Sequence, residues 1–168
     1  MVPSPSRVTD EARGAGDSLP AKAGPQVHNV PLSMLTVQTY IQHSSIEGLG
    51  LFAAQAIPKG TVVWKFDPRF DLAFDPVDVA QMPPTHRALI EKYAYLSSTS
   101  GNYIYSIDDS RFTNHSSLHN NIEMVHVDGE PETRAVANRD IAKGEEILEN
   151  YRDFDANDET SSEEYLSS

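Results

Sequence analysis

The sequence predicts a mainly β domain with few short helices. Three observations carry that expectation. Between about residues 35 and 154 the apolar residues come in short runs rich in β-branched and aromatic side chains, Gly, Pro and Asp-Gly punctuation separates these runs, and one segment alone shows helical periodicity. At 168 residues the chain is long enough for one domain with a real core, because a chain of this size buries roughly two-thirds of the surface its unfolded form exposes.

Residues 1–33 are rich in Pro, Ala, Gly and Ser with hardly a large apolar side chain, so burial cannot offset their ordering entropy and a flexible tail is expected. The folded domain is then expected over residues 34–154. Within it "MLTVQTYIQ" is rich in strand formers, "GLGLFAAQAI" follows a glycine pair, and "TVVWKF" comes straight after the turn "IPKG". In "THRALIEKYAYL" the residues Leu89, Ile90, Tyr93 and Leu96 fall on one helical face, with Thr85 as the expected N-cap. "YIYSI", "IEMVHV" and "TRAVAN" restore the strand pattern, and Asp128-Gly129 supplies a hairpin-type turn between the last two. "AIPKGTVVW" and "DIAKGEEIL" share an apolar residue, a Lys-Gly turn and a following strand; a common turn type explains this more simply than an internal repeat. Residues 155–168 combine acid and serine with Tyr165 and Leu166 as anchors, an acidic tail that would be loose or would dock over the domain.

Composition narrows the function classes. A formal charge of −12 opposes direct nucleic-acid binding or an anionic membrane surface, since both need a basic face, and suits a cationic partner. Cysteine is absent, which excludes disulfides and thiolate metal sites. No apolar run approaches the roughly 20 residues of a membrane span, and no signal peptide is evident, so a soluble intracellular protein is expected.

Three segments carry candidate chemistry. In "EGLGLFA" Gly48 and Gly50 leave backbone bare beside a strand, where a ligand can come close or a turn or bulge can form. "RFTNHSSLHNN" is a run of amides, hydroxyls and imidazoles between hydrophobic segments. His115 and His119 with His126 or Asp128 would make a metal site only if a helix aligned them, which the neighbouring asparagines oppose, and a polar loop bonded to backbone is the plainer expectation. In "GEEILENYRDF" Glu145 and Glu146 point to opposite faces of a strand and are expected in solvent, Tyr151 ends the core, and Asp108-Asp109 upstream shape a turn. The P-loop, the Gly-x-Ser-x-Gly elbow and the full dinucleotide fingerprint are all missing.

In order and spacing these segments resemble the SET-domain protein lysine methyltransferases. "GLGLFAAQAIPKG" is similar to the family's opening glycine motif, "YSIDD" and "RFTNHSSLHN" to its Asn-His region, and "GEEILENY" to its closing strand and tyrosine. The resemblance covers residues 35–154 and implies a SET domain of β-clip type with a C-terminal pseudoknot, in which the Asn-His segment passes under a later loop. It implies S-adenosyl-L-methionine as cofactor, met by Gly48, Leu49 and Gly50 through their backbone and by Asn114, His115, Tyr151 and Phe154. Tyr151 and Tyr105 take the catalytic places, with Tyr93 either in the lysine channel or on the buried face of its helix, and Asn120 braces the turn. No metal is implied. Ser117, His119 and Asn150 depart from the common pattern, and the 168 residues hold no cysteine for the zinc-binding segment with which many members close the channel, so that Phe154 and the tail would have to cover the site.

The implied reaction transfers a methyl group to the side-chain amine of a lysine in a protein substrate, with a basic segment such as a histone tail favoured by the acidic chain. Positioning dominates such a displacement, and the lysine, whose free pKa is near 10.4, must lose its proton. The alternatives are a catalytically degenerate SET-fold module that binds protein or peptide, a histidine-based metal protein, and a β-rich structural domain.

Overall fold

The computed structural model describes residues 35–158. Ten short strands and two α-helices form there, arranged as two two-stranded and two three-stranded sheets. The first sheet is the antiparallel pair β1 (Thr39–His43) and β2 (Leu49–Ala53), in register from Thr39 opposite Ala53 to His43 opposite Leu49. β2 is buried from Gly50 onward, because it is sandwiched between β1 and the C-terminal segment, where Ala53 N–H donates to Glu145 O and Leu51 O accepts Ile147 N–H.

The second sheet has β9 (Arg134–Ala137) between β3 (Val62–Lys65) and β8 (Ile122–Val125). The antiparallel pair β8–β9 is joined through the Asp128-Gly129 turn, where Gly129 takes φ +83°. The core gathers Leu51, Ile57, Val63, Trp64, Ile122, Ile141 and Ile147, and each such side chain contributes about 1.5–3 kcal/mol by leaving water. The two Lys-Gly turns meet in space: Ile57 and Ile141 exchange both backbone hydrogen bonds at 2.9 Å, and Gly60 and Gly144 both have positive φ. Equivalent turns thus close opposite sides of one buried bridge.

The third sheet orders β4 (Asp71–Phe74), β6 (Tyr103–Ser106) and β5 (Tyr95–Leu96). Between β4 and β5 lie α1 (Pro76–Gln81) and α2 (Pro84–Tyr93). Sequence periodicity missed α1, whose start is nevertheless written in Asp75-Pro76: the Asp75 carboxylate accepts Val77 N–H at 2.7 Å and proline occupies the first turn. For α2 the expectation needs correcting. Pro83 is the N-cap and Thr85 lies inside the helix. Ala94 turns extended, so Leu96 belongs to β5, and the helix docks through Ile90 while Leu89 and Tyr93 stay 49% and 46% exposed. The four-residue stripe assumed a helix one turn longer than the chain allows.

The fourth sheet is the parallel pair β7 (Asn114–His115) and β10 (Leu148–Glu149). Beyond it the chain makes a 3-10 turn at Tyr151–Asp153 and lies against β5, through Ser98 N–H to Phe154 O and Ala156 N–H to Leu96 O. This is the C-terminal crossing the SET resemblance implies. Among the described residues no helix is long and apolar enough to cross a membrane. The segments expected as N-terminal tail and as the end of the acidic tail, including Tyr165, lie outside the described residues.

Candidate active site

The polar run of residues 111–121 is explained by what it holds. Asp108 opens a 3-10 turn at Asp109–Phe112 by accepting Ser110 N–H at 2.9 Å, as the turn role expected for the acidic pair requires. The chain then enters β7, and the Asn-His pair lies beside the closing strand. His115 is buried, and its Nδ1 accepts Tyr151 N–H at 3.1 Å, so the neutral imidazole carries its hydrogen on Nε2. Tyr151 donates its hydroxyl to Thr113 O at 2.8 Å. Tyr151 is therefore clamped to the Asn-His segment at backbone and side chain alike.

Asn120 bonds locally to Ile122 O at 3.0 Å. The heavier brace is its neighbour Asn121, fully buried, which donates to Glu146 O at 2.7 Å and accepts Leu148 N–H at 2.9 Å. Sequence reasoning missed Asn121; the available signal was an amide immediately before the apolar residue that opens a strand, Ile122.

Gly48 and Gly50 play different parts. Gly48 takes φ +47° with open space where a side chain would stand. At Gly50 a Cβ would lie 2.1 Å from Glu146 Oε1. Glu146, expected in solvent, instead accepts Ser44 Oγ at 3.0 Å and Asn114 Nδ2 at 2.9 Å. Asn114 Nδ2 also faces Glu47 O and Leu49 O at 3.2 and 3.3 Å. The glycine loop, the Asn-His segment and the closing strand are thus tied at one carboxylate. Glu145 bonds Arg139 at 2.5 Å and Ala142 N–H at 2.8 Å, so neither glutamate is simply solvated.

Two cavities flank this crossing. One, of about 460 Å³, is lined by Ile46, Glu47, Asn114, His115, Ser116, His119 and Tyr151. The other, of about 420 Å³, is walled by aromatic residues including Trp64, Tyr93, Tyr95, Tyr151 and Phe154, with Glu149 among them. Tyr151 lines both. Phe154 belongs to the aromatic cavity, its ring edge-on to Tyr95 at 4.9 Å and to Tyr151 at 5.9 Å, and does not line the polar one. Tyr105 lines neither; its ring stands edge-on to Tyr93 at 6.5 Å, and it is Tyr93 that reaches the wall. Gly48, Leu49 and Gly50 sit just behind Ile46 and Glu47, outside the polar cavity's lining.

The aromatic cavity is electrostatically unusual. Burial pushes the Glu149 carboxyl up to about 8, helped by Asp153, and burial also raises Asp155. The Tyr95 hydroxyl is held well above its ordinary value, first by burial and then by Glu132 and Glu149. Nearby, burial lifts Asp71 to about 6 although Ser106 Oγ donates to it at 2.6 Å. Among the described residues no group of three His, Cys, Asp or Glu is gathered as a metal site, and His126 meets Asp128 only at the surface, 3.9 Å away.

Comparison with known proteins agrees with this geometry. The family model described as the SET domain matches residues 48–152. The Drosophila melanogaster protein named histone-lysine N-methyltransferase trr is 29% identical over 134 residues, which cover 72% of this chain and 5% of that much longer protein. A crystal structure of a candidate histone methyltransferase from Plasmodium falciparum is 21% identical, covering 67% of this chain and 90% of that one with a TM-score of 0.46. With the three motifs laced together at Tyr151, Asn121 and Glu146 and the family model spanning most of the described residues, the chain belongs to the SET-domain family.

Proposed function

We propose that this chain is an S-adenosyl-L-methionine-dependent methyltransferase acting on a lysine side chain of a protein substrate. The observation that carries the reading is Tyr151, the residue shared by two cavities of different character and fixed by bonds to Thr113 O and His115 Nδ1.

The polar cavity fits the cofactor's chemistry. Its volume lies in the usual range for small-molecule sites, and Glu47, Ser116 and His119 offer acceptors and donors beside the apolar Ile46. Asn114 and His115 would hold the cofactor's amino-acid end, and the backbone of Gly48, Leu49 and Gly50 would border it from behind. When bound, the cofactor supplies an activated methyl group on a sulfonium.

The aromatic cavity suits the lysine. Tyr93, Tyr95 and Phe154 give aromatic faces against which its methylene stem and a cation can pack. Such a wall pushes the ammonium's pKa down, because burial disfavours its charge. Tyr151, whose hydroxyl hydrogen is engaged on Thr113 O, presents an oxygen lone pair that would orient the amine. Orientation of this kind supplies several kcal/mol of a displacement barrier. The acidic groups Glu91, Asp155 and Asp158 on the same wall, with the chain's net charge of −12, favour a lysine set in a basic segment.

Calorimetric titration with S-adenosylmethionine and S-adenosylhomocysteine, followed by methyl transfer to core histones, tests the reading. Wild type is expected to bind both, a folded His115→Ala variant to bind at least tenfold more weakly, and Tyr151→Phe to bind normally yet lose most transfer. A folded wild type that binds neither ligand would leave the alternative, a SET-fold module that binds peptide without catalysis.

A further inference from the structure

One titratable group in the aromatic cavity has no task in the reading above. Glu149 ends β10 two residues before Tyr151, and both line the wall. The other carboxyls there are engaged: Glu91 pairs with Arg87, Asp155 accepts Asn157 N–H at 2.9 Å, and Asp158 has contacts of its own. No donor among the described residues reaches the Glu149 carboxyl, whose surroundings act on it through burial and the charge of Asp153. Glu149 is half-buried on the cavity wall with no donor of the chain upon it, which leaves its carboxyl poised for an incoming donor.

Resting on the methyl-transfer reading, we propose that Glu149 is the acceptor of the substrate ammonium's proton. As the ammonium binds, the Glu149 carboxyl first releases its own proton to water; an Nζ–H bond of the lysine then breaks and an O–H bond forms on the carboxylate. The electron pair stays on Nζ as the nucleophile, and the proton passes to water when the product leaves. Tyr151 is unsuited to the task, since its hydroxyl already donates to Thr113 O and a phenol accepts no proton near neutral pH.

The acidities converge to permit the transfer. Free lysine and glutamate differ by about six pKa units. Burial raises Glu149 to about 8 and would lower the lysine, so the gap closes from both sides, and a base near the working pH is the efficient one. The groups that share this field are Asp153 in the next turn, His115 opposite in β7, Tyr95 from β5, Glu91, Asp155 and Asp158 on the wall, and the cations Lys92 and Arg111. The ammonium and carboxyl would titrate as a pair.

The test titrates n-butylammonium, a mimic of the lysine side chain, into the full chain and into Glu149→Gln from pH 6 to 9, in buffers of different ionisation enthalpy that count protons released. Wild type is expected to bind more tightly as pH rises toward 8 and to release close to one proton per cation at pH 7. Glu149→Gln is expected to bind at least tenfold more weakly and release none, whereas Asp78→Asn, on α1 and lining neither cavity, changes affinity less than threefold. Equal affinity and proton release in wild type and Glu149→Gln would overturn the inference, as would a wild type that binds no cation. S-adenosylmethionine titrated in parallel separates the two ideas: cofactor binding without cation binding sinks Glu149's role alone, while a folded wild type that binds no cofactor sinks the methyl-transfer reading.

Discussion

Adding a single methyl group at Gly50 tests the junction of the three motifs. A Cβ there would lie 2.1 Å from Glu146 Oε1, 2.8 Å from its Cδ and 3.1 Å from Ser44 Cβ, so the Glu146 side chain must swing away. It then forfeits the bonds from Ser44 Oγ and Asn114 Nδ2. Hydrogen bonds to a charged group are worth about 1.5–3 kcal/mol each, and the displaced carboxylate regains water, which places the loss near about 2–4 kcal/mol. Alanine recovers about 0.5–1 kcal/mol over glycine within a strand, leaving a net cost of about 1–3 kcal/mol. In a Glu146→Ala background the carboxylate is gone and the added methyl group meets only Ser44. Urea unfolding of wild type, Gly50→Ala, Glu146→Ala and the double variant should therefore show a favourable coupling of at least about 1 kcal/mol. Additivity within about 0.5 kcal/mol would refute the reasoning and mean that Gly50 is bare for another reason. Gly48→Ala is the control: its site is open and φ is +47°, so only the left-handed backbone penalty of about 1–2 kcal/mol applies, whether or not Glu146 is present.

Asn121→Ala removes a buried amide and strands Leu148 N–H and Glu146 O, at a cost of about 2–4 kcal/mol in urea unfolding; a loss under 1 kcal/mol would show that the amide does not brace the crossing. Glu149 makes stability depend on pH with a definite sign. Its folded pKa near 8 lies above the unfolded value of 4.5, so between those values the folded state holds the extra proton and stability falls as pH rises. At about 1.4 kcal/mol per pH unit the upper bound is about 5 kcal/mol by pH 8. Glu149→Gln should accordingly gain stability over wild type at pH 8.5 and little at pH 4.5 in thermal unfolding, and an unchanged difference across that range would contradict the raised carboxyl.

The local elements were legible because short-range physics makes them. The β-branched runs at 39–43, 62–65 and 122–125 became strands, and Asp128-Gly129 and the Lys-Gly pairs became turns, since strand and turn preferences act over a few residues. The motif order from Gly48 to Tyr151 also sufficed to recognise the family. Periodicity failed where tertiary contacts decided burial: α2 docks through Ile90 alone, because the chain turns extended at Ala94. Only the folded chain could bring Glu146 over Gly50, choose Asn121 over Asn120 as the brace, and turn Tyr93 rather than Tyr105 to the cavity wall. The same holds for Glu149. In sequence it is one more acid in an acidic chain; its distinct character arises from the desolvation that β10 imposes by running parallel to β7 inside the crossing. Sequence determines which groups are present and how each short segment bends, whereas proximity between distant segments and exclusion of water are properties of the assembled chain, and the chemistry of this site depends on both.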